Sequence, residues 1–265
     1  MSTFESRKRS RELNEKLIKL ALISAATISI LTTFGILFSI LFEAIEFFKL
    51  RSFWYFITGA TWSPGVIGSQ FGALPIFAGT FVITIIALGV AIPVGLGSAI
   101  YMSEYASANI RDYLKPLLEI LAGIPTVVYG FFAAITVAPL VVQIAEFFGL
   151  EATFNSALAS GVVMGIMIIP VISSLSDDVI RAVPDSQRKA AFALGMTHGE
   201  TIKNIVLPSA MPGIISASLL GLSKALGETM IVVMAAGLRP NLSWNPLEDM
   251  TTVTVTIVNS LVGDF

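Results

Sequence analysis

Long segments without a charged residue make up most of the chain, and short charged segments separate them. The uncharged segments cover residues 21–42, 52–103, 120–145, 152–176 and 204–223. A helix that crosses a membrane needs about 20 apolar residues at a rise of about 1.5 Å each. Because each segment reaches that length as a continuous apolar run, the pattern predicts an all-α fold, a polytopic bundle of transmembrane helices.

We assign five membrane-spanning helices to this pattern. They cover residues 17–42, 73–100, 116–140, 156–176 and 211–238. The second uncharged segment is too long for one helix, and its first part contains Trp54, Tyr55, Trp62 and Pro64. Aromatic residues mixed with turn formers are typical of a loop at the membrane surface. This part is therefore predicted to be a loop outside the spans.

The spans divide the chain into regions. We expect a basic cytoplasmic N-terminus at 1–16, a first transmembrane helix at 17–42 and a periplasmic loop at 43–72. A core domain follows at 73–265, and it contains a cytoplasmic loop at 177–208.

The last sixteen residues, MTTVTVTIVNSLVGDF, do not continue the apolar pattern. They are too few and too rich in threonine to be assigned as a span. Five spans are therefore visible, and we expect a sixth helix after Phe265.

The composition excludes several kinds of protein. Hydrophobic residues are 55% of the chain and charged residues only 13%, which is about half the usual fraction for a soluble domain. No cysteine is present, which excludes a disulfide framework and thiolate chemistry. The single histidine, His198, predicts no metal site. No G-x-x-x-x-G-K-[ST] segment is present, so we expect ATP to be bound by another chain.

Lysine and arginine residues are distributed unevenly between the two predicted sides. Twelve lie at the start of the chain, between the second and third spans, or between the fourth and fifth. They are Arg7, Lys8, Arg9, Arg11, Lys16, Lys19, Arg111, Lys115, Arg181, Arg188, Lys189 and Lys203. The opposite side has three, Lys49, Arg51 and Arg239. Since cytoplasmic loops carry an excess of lysine and arginine, the N-terminus is predicted to face the cytoplasm.

The cytoplasmic stretch KAAFALGMTHGETIKNIVLP is predicted to belong to two short helices. Pro184 suits a first helical position, and Gly195 suits the position just after a helix end. Thr197 and Glu200 have the spacing of a capping box, which opens a second helix that we expect to stop before Pro208. Such a stretch is either an amphipathic loop on the membrane surface or a segment that lies in a groove of a partner.

The same stretch resembles the EAA signature of ABC-transporter permeases. The matching residues are Ala190, Ala191, Gly195, Ile205, Leu207 and Pro208. In that family the loop forms a coupling helix that docks into a groove of a separate ATPase subunit, and the resemblance implies this role here. Lys189, which belongs to the same implied loop, stands where the family usually has glutamate. A polar contact made by that glutamate would be lost or changed.

A larger part of the chain resembles the permeases of phosphate (Pst-type) importers, specifically the PstC-like half. The resembling segments run from PIFAGTFVITIIALGVAIPVGLGSAIYMSEYA to LSKALGETMIV, over most of residues 75–232. The resemblance implies a permease subunit of the bacterial inner membrane that moves inorganic phosphate inward. This chain would have no enzyme activity and no bound cofactor, because a partner ATPase uses the ATP. The implied partners are a second homologous permease subunit, a P-loop ATPase dimer, a periplasmic phosphate-binding protein and membrane lipid, without nucleic acid.

Lys224 and Glu228 are the only charged residues between Lys203 and Arg239. We predict that they lie four residues apart on one helix and hence on one face. A charge at the bilayer centre costs about 2.5–3.5 kcal/mol, so they form either a mutually neutralised packing pair or part of a water-filled path. The resemblance implies the path, because the permeases of phosphate importers carry a basic and an acidic residue in this segment.

Three alternatives to phosphate import remain open on the sequence. The first is a permease for another oxyanion, such as molybdate or sulfate. The second is a proton-coupled secondary carrier that uses Lys224 and Glu228, although we find no internal repeat of the kind common in such carriers. The third is a membrane scaffold without transport activity, which leaves the charged pair unexplained.

Several glycines are spaced for close packing of helices. Gly161 and Gly165 have the small-xxx-small spacing of helices that approach closely in a membrane. Gly89, Gly95 and Gly97 are further candidates for the same role.

Overall fold

The computed structural model describes residues 2–65 and 69–262, with side chains from residue 14 onward. The chain divides into two units, Met1–Phe56 and Ile57–Phe265. Within the described residues, five helices are long and apolar enough to cross a membrane. They are Asn14–Leu50, Leu74–Tyr105, Thr126–Phe147, Ala157–Arg181 and His198–Leu226. The predicted class, an all-α protein with five visible spans, is confirmed.

The first unit consists of helix α1 (Ser2–Leu50) and the start of helix α2 (Phe53–Thr58). None of the most apolar part of α1 is buried within the unit, so its leucine, isoleucine and phenylalanine side chains are available to lipid. At its end Phe47 and Phe48 pack edge to face with Phe56, with ring centroids 5.7 Å and 5.5 Å away.

The predicted boundary of the first span is wrong at its C-terminal end. The helix continues through residues 43–50, which were assigned to the periplasmic loop at 43–72. No glycine or proline occurs between Gly35 and Leu50 to end it. An ion pair between Glu46 and Lys49, at 2.6 Å, adds a side-chain contact within its last turns.

The regular elements described in the second unit are helices and one short hairpin, with longer irregular connections at 148–156 and 236–252. The hairpin pairs strands β1 (Trp62–Ser63) and β2 (Gln70–Phe71) in antiparallel register. The α-helices are α3 (Leu74–Ile100), α4 (Ala108–Gly123), α5 (Thr126–Phe132), α6 (Ala138–Phe147), α7 (Ala157–Arg181), α8 (Asp185–Ala193), α9 (His198–Thr201), α10 (Leu207–Leu226), α11 (Met230–Ala235) and α12 (Val253–Val262). The described residues contain three π turns. Those at Ala133–Val137 and Ile202–Val206 join consecutive helices, and the one at Tyr101–Tyr105 ends the helix that α3 begins.

The third span does not cover residues 116–140 as predicted. The chain breaks at Ile124 and Pro125, both of which have extended ψ angles, 130° and 137°. Proline disfavours the helical conformation at the residue before it, and it has no N–H to continue the helix. The amphipathic helix α4 therefore ends first, and the span runs from α5 through a π turn to the end of α6.

The fifth span was predicted at 211–238, and both of its ends are wrong. It begins at His198, since α9, a π turn and α10 form one continuous helix. It ends at Leu226, and Gly227 caps it. The chain then passes through Glu228 and Thr229 before α11 begins.

The core of the second unit is the seam between α3 and α7. Ile83 of α3 and Met164, Met167, Ile168 and Ile172 of α7 are all at most 1% exposed. Residues of α3 with higher numbers contact residues of α7 with higher numbers: Ile86 lies beside Gly161, Val90 beside Gly165 and Gly95 beside Ile172. The two helices therefore run parallel. Two spans that cross a membrane in the same direction must be separated in the chain by a span that crosses back. The helix formed by α5 and α6 is that span.

Glycine contacts explain how α3 and α7 approach so closely. A Cβ atom on Gly165 would lie 2.8 Å from the carbonyl oxygen of Ala87, and one on Gly161 would lie 2.8 Å from Ile86. The predicted packing role of these two glycines is confirmed, as is that of Gly95. A Cβ atom on Gly89 or Gly97 would meet no described atom of this chain within 4 Å, so neither glycine brings α3 close to another described helix of the chain.

Candidate functional site

Helix α8 begins the loop between the fourth and fifth spans, and it ends in a Schellman motif. The N–H of Met196 donates to the carbonyl of Ala191 at 3.2 Å, and the N–H of Gly195 donates to the carbonyl of Phe192 at 3.0 Å. Gly195 has a φ of +82°, which is accessible to glycine without strain. Its predicted position just after the helix is confirmed. Pro184 precedes the first helical residue instead of occupying it.

Helix α9 opens with the predicted capping box. Thr197 N–H donates to Glu200 Oε2 at 2.8 Å, and the Thr197 hydroxyl accepts from Glu200 N–H at 3.4 Å. The predicted stop before Pro208 is wrong. The π turn Ile202–Val206 widens the helix just before the proline, where i to i+5 bonding replaces the ordinary pattern, so the chain enters α10 without a break.

Four of the predicted loop residues line one surface groove. The groove has a volume of about 560 Å³ and contains Ala190, Ala191, Ile205 and Pro208 together with Gln187, Leu194, Met196, Asn204 and Ser209. Lys189, Gly195 and Leu207 do not line it. Lys189 and Gly195 are exposed on the loop, and Leu207 is half-buried. We name residues 185–208 the docking loop, after the role that the sequence resemblance implies for them; Ser209 of the groove follows this segment.

Apolar side chains are exposed on the docking loop. Leu194 is 84% exposed and Phe192 is 46% exposed, although Phe192 stacks on His198. Both apolar side chains are therefore available for contact outside the chain.

Two ion pairs with buried carboxylates connect helices near the docking loop: one joins α4 to α7, and the other joins α8 to the π turn that follows α3. Arg111 of α4 donates to Asp177 of α7 at 2.8 Å, and the Asp177 side chain is fully buried. Arg188 of α8 donates to Glu104 at 2.8 Å, and the Glu104 side chain is only 5% exposed. Sequence reasoning treated Arg111 and Arg188 only as orientation signals. Their partners lie 66 and 84 residues away, so no local pattern identifies them.

The predicted pair Lys224 and Glu228 does not lie on one helix. Lys224 is in the last turn of α10, and Glu228 follows the end of that helix. Glu228 Oε1 instead accepts N–H bonds from Met230 at 3.0 Å and Ile231 at 3.3 Å, which open α11. The Thr254 hydroxyl of α12 donates to the Glu228 carbonyl at 2.9 Å. Glu228 is therefore built into the break between α10 and α11.

Lys224 has a different environment from Glu228. Its side chain is half-buried, and it makes no hydrogen bond or ion pair with any described residue. Glu228 is 8% exposed and bonded to backbone. The packing-pair alternative, in which the two charges neutralise each other, has no ion pair to support it within the described part of the chain.

Comparison with known proteins identifies the family. Residues 91–252 match the family described as "Binding-protein-dependent transport system inner membrane component". The chain is similar to the "Probable ABC transporter permease protein YqgH" of Bacillus subtilis, with 32% identity over 254 residues, covering 95% of this chain and 81% of the relative. It is also similar to the "Phosphate transport system permease protein PstC 1" of Mycobacterium tuberculosis, with 33% identity over 249 residues, covering 83% and 73%.

Among solved structures, a methionine ABC transporter in inward-facing conformations aligns with 72% of this chain and 86% of its own, at 21% identity and a TM-score of 0.48. The sequence matches to the family and to the two permeases cover most of the second unit, including the docking loop and the break after α10. The chain therefore belongs to the family of binding-protein-dependent transport system inner membrane components, multi-pass permeases that work with an ATPase and a substrate-binding protein.

Proposed function

We propose that the chain is the permease subunit of an ATP-driven ABC importer that moves inorganic phosphate into the cytoplasm. The identity of the ion is supported by the relatives named as phosphate transport permeases, which match about four fifths of the chain. The observation that carries the transport proposal is Lys224, a half-buried cation at the broken end of a helix that has no bonding partner among the described residues.

Lys224 is suited to a passing anion. An ammonium group that is partly removed from water needs an opposite charge or water to offset its lost hydration. Lysine offers a point charge without the bidentate fork of arginine, so a phosphate would be attracted without being clamped. We assign Lys224 and Glu228 to the substrate pathway, with Lys224 contacting the anion and Glu228 holding the backbone of the break.

The docking loop is proposed to bind the ATPase. Its exposed residues Leu194 and Phe192 provide apolar contacts, and the groove beside them can receive side chains of the partner. Lys189, Ala190, Ala191, Gly195, Ile205, Leu207 and Pro208 form or support this surface. Lys189 is exposed, so in place of the usual glutamate it presents a positive charge to the partner.

The remaining partners follow from this role. A second homologous permease subunit would complete the pathway, a dimer of P-loop ATPases would bind the two docking loops, and a periplasmic phosphate-binding protein would deliver the ion. The N-terminus and the docking loop would face the cytoplasm of a bacterial inner membrane. The chain itself would bind no cofactor and catalyse no reaction, since the ATPase subunits hydrolyse the ATP.

The test is uptake of labelled phosphate into proteoliposomes that contain the whole complex and its binding protein. Lys224→Met is expected to abolish uptake while the ATPase still co-purifies, and Lys224→Arg is expected to retain it. Arg239→Met is the matched control, because Arg239 is an exposed cation outside the five spans. Uptake by the wild type without ATP would contradict the proposal and favour the carrier. Stronger competition by sulfate or molybdate than by phosphate would contradict the choice of ion.

The docking role has a separate test. Leu194→Ser is expected to reduce co-purification of the ATPase, because it removes the most exposed apolar side chain of the loop. Leu150→Ser is its control, because Leu150 is also exposed, at 54%, in a connection on the other side of the membrane. Equal binding of the ATPase by both variants would remove the docking loop from the interface.

A further inference from the structure

The docking loop is attached to the spans at one small place. Helix α8 buries Ala191 and helix α9 buries Thr201, and each helix buries little else. Two short helices with so little buried surface hold their position only through other contacts. The polar contacts that hold the loop converge on the π turn Tyr101–Tyr105, which ends the second span.

Arg188 makes the first connection to this turn. Its Nη2 donates to Glu104 Oε1 at 2.8 Å and to the carbonyl of Ile180 at 2.9 Å. Its Nη1 donates to the carbonyl of Val183. The Arg188 side chain is 17% exposed and the Glu104 side chain 5% exposed. One guanidinium therefore joins α8, the C-terminal end of α7 and the end of the second span.

His198 makes the second connection. Its Nε2 lies 3.2 Å from the backbone carbonyl oxygen of Glu104. Its ring meets Tyr105 edge to face at 5.1 Å and stacks on Phe192 of α8 at 6.2 Å. Both helices of the docking loop are thus fixed to the same two residues, Glu104 and Tyr105.

The geometry of the turn makes this attachment possible. A π turn inserts an extra residue into a helix and changes the direction of the side chains that follow, and such turns are common at functional sites. Here it closes with the N–H of Ala106 donating to the carbonyl of Tyr101 at 2.8 Å, after which the chain becomes extended. Glu104 therefore leaves the apolar span and reaches a buried position beside Arg188.

We propose that Arg188 and Glu104 form the joint through which movement of the docking loop reaches the spans α3 and α7. This inference rests on the proposed function of the docking loop. Both are positioning residues, because neither lies in the substrate pathway or on the exposed ATPase-binding surface. A buried, charge-assisted contact transmits displacement better than an exposed apolar contact, since its donors and acceptors have no water to replace a lost partner.

The test separates transmission from assembly. Single variants such as Arg188→Met leave a buried charge without its partner and can prevent folding. The double variant Arg188→Met/Glu104→Met removes both charges and keeps similar side-chain volumes, which is tolerated much better. Arg181→Met is the control, because Arg181 is an exposed cation in the last turn of α7 that makes no ion pair with a described residue.

Three quantities are measured on the reconstituted complex: the amount of bound ATPase, the phosphate moved per ATP hydrolysed, and hydrogen exchange of residues 98–106 with and without a non-hydrolysable ATP analogue. In the double variant we expect normal ATPase binding. The transport ratio, meaning the phosphate moved per ATP hydrolysed, should fall at least about fivefold, which is the smallest factor typical of coupling between two sites. The analogue should change exchange at 98–106 in the wild type and in Arg181→Met, and leave it unchanged in the double variant.

The outcomes distinguish the two proposals. A wild-type complex that hydrolyses ATP without moving phosphate contradicts the proposed function, and the exchange measurement still decides whether the joint transmits the response. A double variant with a wild-type transport ratio and a wild-type exchange response overturns the joint. A ratio that falls only in proportion to lost ATPase binding overturns it as well, because the pair would then serve assembly alone.

Discussion

Helices α1 and α7 have similar hydropathy and opposite packing. None of the most apolar part of α1 is buried within its own unit, whereas 61% of the corresponding part of α7 is buried. Gly161 and Gly165 let α3 approach α7, while a Cβ atom on Gly35 of α1 would meet nothing within 4 Å. Similar hydropathy is therefore compatible with very different packing inside a unit, and small residues in the right register allow two helices to pack closely.

The largest expected difference concerns ion pairs. Asp177 of α7 is fully buried against Arg111, whereas the Glu46–Lys49 pair of α1 is exposed. Arg111→Met should lower the free energy of unfolding by about 3 kcal/mol, because it leaves a buried carboxylate with only Lys115, 4.0 Å away. Lys49→Met should change it by less than about 0.5 kcal/mol. Denaturant titration in lipid-detergent bicelles measures both changes in the free energy of unfolding. Equal changes would contradict the expectation that the buried pair contributes more than the exposed pair.

A smaller difference is expected for glycine substitutions. Gly165→Ala places a Cβ atom 2.8 Å from backbone and side-chain atoms of α3, so the helices must separate, at a cost of about 1–3 kcal/mol. Gly35→Ala meets no atom within 4 Å and should be neutral or stabilising by about 0.5–1 kcal/mol through lower chain entropy when unfolded. The same bicelle titration applies. A destabilised Gly35→Ala would show that α1 packs as tightly as α7.

A second difference is that α1 is continuous, whereas the chain breaks after α10 and the Glu228 side chain bonds to the start of α11. Glu228→Ala removes the acceptor for two N–H groups of α11 and should destabilise the protein by about 1 kcal/mol, as for other lost caps. Glu228→Gln keeps a carbonyl acceptor and should retain both stability and phosphate uptake. Loss of uptake in the glutamine variant, with stability unchanged, would show that the negative charge itself serves transport.

The smallest effect is expected at the loop that packs on the start of α7. The carbonyl of Glu248 accepts from Ala157 N–H at 3.0 Å. Hydrogen bonds from the side chains of Ser243, Asn241 and Asn245 hold the pKa of the Glu248 carboxyl below its ordinary value.

A lowered pKa means that these bonds stabilise the folded loop above the ordinary pKa of about 4.3, and that this contribution disappears as the pH falls through the folded value. Hydrogen exchange of residues 240–250, corrected for intrinsic rates, should therefore show less protection in acid than at neutral pH. In Glu248→Gln that difference should shrink. An unchanged difference would assign the effect to another group.

Local sequence rules predicted the docking loop well. The capping box at Thr197 and the glycine at position 195 depend on neighbours within a few residues, and both are confirmed. The same rules failed at the two ends of the fifth span. Pro208 has no N–H to donate, but the π turn before it changes the bonding pattern so that the helix continues. After Leu226 the Glu228 carboxylate accepts a bond from the Met230 N–H, which would otherwise bond within a continuing helix.

Long-range contacts were beyond these rules. Arg188 was predicted to lie in the cytoplasmic loop, but nothing near it in sequence indicates that it bonds to Glu104. The assignment of Lys224 and Glu228 to one helical face failed for a related reason. Their spacing of four residues places them together only if the helix continues, and the tertiary structure ends it between them.

The sequence by itself determined that the chain is a multi-pass helical membrane protein and where α8 ends and α9 begins, because uncharged length and capping residues act locally. The tertiary structure decided which helix forms the centre, where the spans break, and which charges are paired. Those features depend on how closely two helices can approach and on which distant groups satisfy a buried charge. Neither is set by the order of residues within a single helix.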